Sequence, residues 1–189
     1  MKSNRQLEMV ENFSKEYKKQ LIKYLFQCIA SESSKLLLFS IFFMKIDLLK
    51  EFGFALTIII LLRMHGGGIH FRHYLTCLFV SFSVFGGSIF LGIYVPLPIP
   101  ISTIIISICT ILGYLTVPVT SDNRPSPSCS VVRKSKNYTV LILLIYFMLI
   151  CIVPTNPYIN IGTWSIIIHI SQLLLAKFIK GGRKTCWTD

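Results

Sequence analysis

The chain has 189 residues, of which 53% are hydrophobic and 14% are charged, and its formal net charge is +11. Its apolar residues lie in long blocks instead of the alternation of a half-buried helix or strand, which argues against a water-soluble domain and predicts a polytopic membrane protein. The excess positive charge falls in short segments beside these blocks. That distribution is typical of cytoplasmic segments of a membrane protein and argues against a nucleic-acid partner.

Residues 1–35 form the first predicted element, an amphipathic helix. Apolar side chains recur there at intervals of three or four residues, and the opposite face is rich in lysine. We expect this cytoplasmic segment to lie on membrane lipid at the inner surface. The first two dozen residues are too highly charged to be a secretory signal peptide.

The next two apolar runs, residues 36–44 and 52–62, are each about half the length that a membrane span requires. A charged group separates them, and it comprises Lys45, Asp47, Lys50 and Glu51. A short or re-entrant hairpin fits this pattern best. The alternative is one long helix whose polar residues face protein, and the sequence does not distinguish the two.

Four further apolar runs are predicted to cross the membrane as helices: residues 75–95, 99–119, 140–153 and 158–176. The run 140–153 is short, so its helix requires flanking residues or local thinning of the bilayer. The predicted fold is therefore all-α, a membrane helical bundle with about four to six membrane segments. Residues 36–179 form the membrane domain, and residues 180–189 form a cytoplasmic tail.

Residues 120–137 are predicted to be a cytoplasmic loop, because prolines and serines alternate there with basic residues. Its basic residues are Arg124, Arg133, Lys134 and Lys136. They act first as an orientation signal, and they also offer contacts to an acidic peptide tail. The turns 96–100 and 154–158 have no charge and are expected outside, which makes the N-terminus, residues 63–77 and the C-terminus cytoplasmic.

Residues 63–77 form a polar, glycine-rich island between the apolar blocks. The island holds Arg63, His65, Gly66, Gly67, Gly68, His70, Arg72, His73 and Cys77. A lipid-facing segment does not carry such a set of side chains, since the bilayer core offers polar groups no partner. We therefore expect the chemistry of the protein to lie here.

Cys77 and His70 are the candidate nucleophile and base. A cysteine has an unperturbed pKa near 8.5, and an adjacent histidine or a helix N-terminus lowers it. Seven residues of continuous helix separate side chains by about 10 Å, so the chain must bend or a water must bridge them. The three glycines permit a bend and expose N–H groups to an oxyanion. If a helix opens at Tyr74 or Leu75, Cys77 lies in its first turn, where the helix dipole favours thiolate.

The island resembles the motif of the accessory gene regulator B (AgrB) family. Arg63, the Gly67-Gly68-Ile69-His70 element and Cys77 match that family's arginine, GG-x-H and following cysteine. AgrB proteins are membrane cysteine peptidases that process autoinducing propeptides in Gram-positive bacteria. The resemblance thus implies a thiol protease of the bacterial cell membrane, with an AgrD-like propeptide as its partner and a homodimer as a further expectation.

The same resemblance implies a reaction for quorum sensing. Cys77, with His70 as base, would cut the C-terminal tail from the propeptide and hold the remaining acyl group as a thioester. A cysteine of the propeptide would then take this group into a thiolactone ring without ATP. Arg63 would contact the substrate, and the glycines would support the site.

Histidines 65, 70 and 73 are also spaced closely enough for a metal site. We predict neither metal nor other cofactor, because a metal would occupy the proposed base. His169 lies inside the last apolar run, where an ionisable residue indicates a functional role or a helix-packing hydrogen bond.

A third residue that orients the base is not identifiable, since Glu32, Asp47, Glu51 and Asp122 all fit the topology. The prediction is therefore a dyad. Two other functions remain open, a small membrane transporter or exporter and a noncatalytic membrane scaffold. The first is weakened by the lack of acidic and basic side chains in the centres of the last four runs.

Overall fold

The computed structural model describes Ile22, Phe26 and residues 30–67, 73–119, 128–154 and 156–179. Most of the predicted amphipathic helix of residues 1–35 lies outside these ranges. The described helices are α1 (residues 30–45), α2 (Leu49–Gly66), α3 (Tyr74–Tyr94), α4 (Ile99–Thr116), α5 (Cys129–Ile152) and α6 (Pro157–Ile179). The predicted all-α fold class is confirmed.

The chain divides into two compact units, residues 1–45 and residues 46–189. Between α1 and α2 the helix is broken at residues 46–48, where Asp47 has a φ of 57°. Aspartate is one of the few residues that adopts this left-handed conformation readily. The alternative of one continuous helix through residues 36–62 is therefore wrong, and the hairpin stays a prediction.

Four helices, α3 to α6, are long and apolar enough to cross a membrane. The span predicted at residues 140–153 is longer than expected, because α5 begins at Cys129 and has 24 residues. A helix of that length extends about 36 Å, so the bilayer need not thin. The predicted loop 120–137 is correspondingly wrong for residues 129–137, which are the first turns of α5. Residues 120–127, with Arg124, lie outside the described ranges.

Contacts at one end of the second unit bring together the end of α2, the start of α3, the ends of α4 and α6 and the start of α5. We call this the motif end. The Val119 N–H donates to the Gly66 carbonyl at 3.0 Å, and the Lys177 ammonium donates to the Leu115 carbonyl at 2.7 Å. The glycine-rich island therefore begins where α2, α4 and α6 end.

Contacts at the opposite end fix the helix directions. Trp164 Nε1 donates to the Val95 carbonyl at 3.0 Å, and the Phe54 and Tyr158 ring centroids lie 5.6 Å apart. The first turns of α2 and α6 are thus at the same end as the loop after α3. Helices α2, α4 and α6 run toward the motif end, and α3 and α5 run away from it.

Helix α6 is the central element of this unit and packs against α2, α3 and α4. It buries Ile166, Ile170 and Leu173 almost completely. Its close contact with α3 depends on Gly92, since a Cβ there would lie 2.6 Å from the Ile161 Cα. Small residues at such crossings let helices approach closely in a membrane, where packing replaces the hydrophobic effect as the driving force.

Replacement of Gly92 by alanine is expected to destabilise the protein by about 1–3 kcal/mol, because the new methyl group would overlap the α6 backbone. Gly86 is the matched control on the same helix, since a Cβ there would meet no atom within 4 Å. The thermal midpoint in detergent should fall for Gly92→Ala and stay within a degree or two for Gly86→Ala. Equal midpoints for the two variants would contradict this account of the α3–α6 contact.

Candidate functional site

The first part of the site is the closed end of α2. Gly67 has a φ of 80°, and its N–H donates to the Arg63 carbonyl at 3.1 Å. A Cβ on Gly67 would collide with the Val119 carbonyl oxygen, and a Cβ on Gly66 would lie 3.7 Å from His169 Nε2. Gly67 is therefore required by conformation and packing, whereas a Cβ on Gly66 would meet only side chains, the nearest being Leu173 Cδ1 at 3.3 Å. The predicted partner Gly68 lies outside the described residues.

The second part is the first turn of α3. The helix begins at Tyr74, and the Cys77 N–H donates to the His73 carbonyl at 3.1 Å. The prediction that Cys77 lies in the first turn is therefore confirmed. The side chain is buried, with 8% of its surface exposed. The preceding three N–H groups have no acceptor within the helix, so this end carries a positive potential. The proposed base His70 lies outside the described residues, as does Arg72.

A small cavity of about 20 Å³ lies between α2, α3 and α6 near the motif end. Its polar lining is Arg63 from α2, Ser81 from α3, and His169 and Gln172 from α6. Ser81 follows Cys77 by one helical turn, about 6 Å along the axis, and both residues are buried. The structure thus brings Arg63 close to the face of α3 that carries Cys77.

Sequence reasoning singled out Arg63 and considered His169, but it missed Ser81 and Gln172. Ser81 was detectable in principle, because it follows Cys77 by four residues and so shares its helix face. Gln172 stands three residues after His169 on α6. Only the packing of α6 against α3 shows that this pair approaches Arg63.

The His65 side chain packs against α5, whereas the Arg63 side chain lines the cavity. Its ring stacks on Tyr138 of α5, with centroids 4.7 Å apart and planes inclined by 19°. Within the described ranges no three His, Cys, Asp or Glu side chains are grouped so as to hold a metal ion. The contact with Tyr138 gives His65 a packing role between α2 and α5.

Two of the acidic candidates for a third catalytic residue lie at the wrong end of the bundle. Glu51 is in the first turn of α2, and Asp47 precedes that helix. Because α2 rises about 22 Å between Glu51 and Gly66, neither carboxylate reaches the first turn of α3. Glu32 forms an ion pair with Lys35 at 2.8 Å in the first unit, and Asp122 lies outside the described residues.

The basic residues on α5 differ in their surroundings. Arg133 and Lys134 are exposed. Lys136 is partly buried, and its ammonium lies 5.0 Å from the centroid of the Tyr114 ring on α4. A cation over an aromatic face is attracted to it, so Lys136 contributes to packing between α4 and α5. Arg133 and Lys134 remain accessible to a ligand.

Replacement of Gly67 by alanine is expected to lower stability by about 1–3 kcal/mol, since the φ of 80° and ψ of −158° form a conformation that is essentially restricted to glycine. Gly53→Ala on the same helix serves as control, because its Cβ would meet nothing within 4 Å. Thermal unfolding in detergent measures both. A Gly67→Ala protein as stable as the Gly53→Ala protein would contradict the geometry of the α2 end.

Comparison with known proteins identifies a family. The family model described as Accessory gene regulator B matches residues 3–173. No curated protein and no solved structure matches the chain. The resemblance first drawn from residues 63–77 is therefore confirmed, and it extends over most of the sequence.

Proposed function

We propose that this chain, which belongs to the accessory gene regulator B family, is the membrane cysteine endopeptidase of its propeptide-processing step. Membership of this family implies a membrane protein that takes part in the processing of agr quorum-sensing propeptides. The finer proposal is that Cys77 cuts the C-terminal tail from an AgrD-like propeptide. The observation that carries it is the position of Cys77, buried in the first turn of α3 and one turn from the cavity that Arg63 lines.

The proposed reaction has two acyl transfers. The Cys77 sulfur attacks the scissile carbonyl while His70 accepts the thiol proton, and His70 then returns that proton to the amine of the leaving tail. The propeptide is now joined to Cys77 as a thioester. A cysteine thiol of the propeptide attacks this thioester, forms the thiolactone and regenerates the Cys77 thiol. One thioester replaces another, so no ATP is required.

Helix α3 supports this chemistry electrostatically. Its first three N–H groups point away from the helix at the end where Cys77 lies, and such groups stabilise a thiolate or an oxyanion. The His73 side chain makes no capping hydrogen bond to them. Their positive potential would favour negative charge that develops near this end of the helix.

Charge at the motif end supports a cytoplasmic orientation of the site. Arg133, Lys134 and Lys177 are all near this end. Short segments rich in lysine and arginine remain on the cytoplasmic side during membrane insertion. The proposal therefore puts the cleavage site where a newly made propeptide first meets the membrane.

Co-expression with the AgrD-like propeptide tests the dyad. Cleavage, followed by mass spectrometry, should be lost for Cys77→Ala and His70→Ala, because each removes one participant in the first acyl transfer. Because the nucleophile and base act as a unit, loss of either one lowers the rate by several orders of magnitude. The wild-type protein should yield a trapped acyl species on Cys77.

The control is Cys129→Ala, which removes an exposed cysteine at the start of α5 and should cleave at the wild-type rate. Cleavage by Cys77→Ala would exclude the proposed nucleophile. If that variant instead still transported a peptide across the membrane, a transporter function would be favoured.

Arg133 and Lys134 are proposed to attract an acidic propeptide tail. The double variant Arg133→Gln/Lys134→Gln should lower the cleavage rate about three- to thirtyfold at low salt, because exposed charges steer a charged ligand and salt screens them. The deficit should shrink at 0.5 M NaCl. Lys177→Gln is a control at the same end, and a salt-independent loss in the double variant would contradict electrostatic attraction.

A further inference from the structure

Polar side chains converge on the cavity next to Cys77 from three helices. Arg63, Ser81, His169 and Gln172 line it together with five apolar residues. His169 is only 2% exposed, and its Nε2 atom has no hydrogen-bond partner among the described residues. A buried polar atom without a partner has lost its hydration without compensation, so it points to a group that binds there.

The Ser81 hydroxyl and the Arg63 guanidinium are also available to bind a ligand. Ser88 and Ser165 donate their hydroxyls to carbonyls one turn back, at 2.7 and 2.8 Å. The buried Ser81 makes no such bond in the described part of the chain. Arg63 is partly buried, and it forms no ion pair with any described carboxylate. Among the described residues, the cavity therefore offers a cation without an ion-pair partner and several hydrogen-bonding groups.

These groups match the chemistry of a carboxylate. A guanidinium binds a carboxylate through charge-assisted hydrogen bonds, and neighbouring hydroxyl, amide and imidazole N–H groups satisfy the remaining lone pairs. None of the described residues that line the cavity is acidic. We infer that this cavity is a binding subsite for one carboxylate of the propeptide, an inference that rests on the proposed function.

The size and position of the cavity restrict how the carboxylate is presented. A volume of about 20 Å³ accepts a carboxylate group or water and excludes a folded peptide segment. Ser81 lies about 6 Å from Cys77 along α3. An extended peptide advances about 3.3 Å per residue, so a side-chain carboxylate in the cavity would belong to a residue within about two positions of the scissile bond.

An apolar groove of about 260 Å³ between α3 and α6 lies beside the cavity. Val80, Val84 and Gln172 line both spaces. The groove is otherwise lined by Phe79, Ser83 and Ile168. A peptide with an apolar residue beside its carboxylate would fill the groove and the cavity at once.

The test is a binding measurement with the full-length Cys77→Ala protein in phosphatidylcholine nanodiscs. The probe is the AgrD-like propeptide with fluorescein at its N-terminus, and anisotropy gives its Kd. Ser81→Ala and His169→Leu are added to this background, with Ser88→Ala as the control on α3. The peptide is compared with forms in which each acidic residue within two positions of the cleaved bond is changed to its amide, and with a form amidated at the C-terminus.

Ser81→Ala and His169→Leu should each weaken binding of the parent peptide about tenfold, the effect of losing a hydrogen bond to a charged group. Ser88→Ala should leave Kd unchanged. For the peptide that lacks the bound carboxylate, all of these proteins should have the same Kd. One peptide form should abolish the difference in Kd between the variants and the parent protein. If it is a side-chain amide, the bound carboxylate is that side chain. If it is the C-terminal amide, the bound carboxylate is the chain terminus.

The proposal is overturned if Ser81→Ala and His169→Leu bind every peptide with the same Kd as the parent protein, or weaken every peptide equally. It is also overturned if these variants change only the dependence of thermal stability on phosphatidylglycerol, which would assign the cavity to a lipid headgroup. Ser81→Ala keeps the test valid if His169→Leu fails to fold. Cleavage by the Cys77→Ala protein would refute the proposed nucleophile. The Kd differences would still test the carboxylate subsite, because they are measured without cleavage.

Discussion

The hydrogen bond from the Val119 N–H to the Gly66 carbonyl, 3.0 Å long, is the contact on which the geometry of the motif end depends. Gly66 is buried, so its carbonyl requires a hydrogen-bond partner within the protein. Here the chain after α4 closes the end of α2, and the absence of a Cβ on Gly67 makes room for it. Gly66 at the same point packs against Leu173 of α6. Three helices are thereby fixed beside the segment that leads to Cys77.

This contact separates two explanations of the glycine-rich island. From the sequence, the glycines were interpreted as permitting a bend that exposes N–H groups to an oxyanion, whereas Gly67 has a steric reason to be glycine. Glycines in this position therefore do not by themselves indicate catalysis. The stronger sign of a site is the convergence of Arg63 and His169 on one cavity, since a fold that served packing alone would pair or exclude such groups.

The parts of the fold that depend on local sequence were predictable. Long apolar runs located α3, α4 and α6, and the run that begins at residue 75 located the start of α3 to within a residue. The start of α5 was missed, because Arg133 and Lys134 were treated as loop residues although arginine and lysine are good helix formers. The approach of His169 to Arg63 was not predictable, since it depends on how α6 packs between α2 and α3, and residues this far apart in sequence carry no local signal of their contact.

Burial of Cys77 bears on the outcome of the proposed reaction as much as on its rate. A thioester intermediate is consumed either by the propeptide cysteine or by water, and each 1.4 kcal/mol of difference between the two barriers changes the product ratio tenfold. With 8% of Cys77 exposed, bulk water has little access, so any water that entered the cavity one helical turn away would be the nearer source of hydrolysis. A carboxylate bound to Arg63, Ser81 and His169 would displace that water while it positions the peptide. The same subsite would then serve recognition and favour the cyclic product over the linear one.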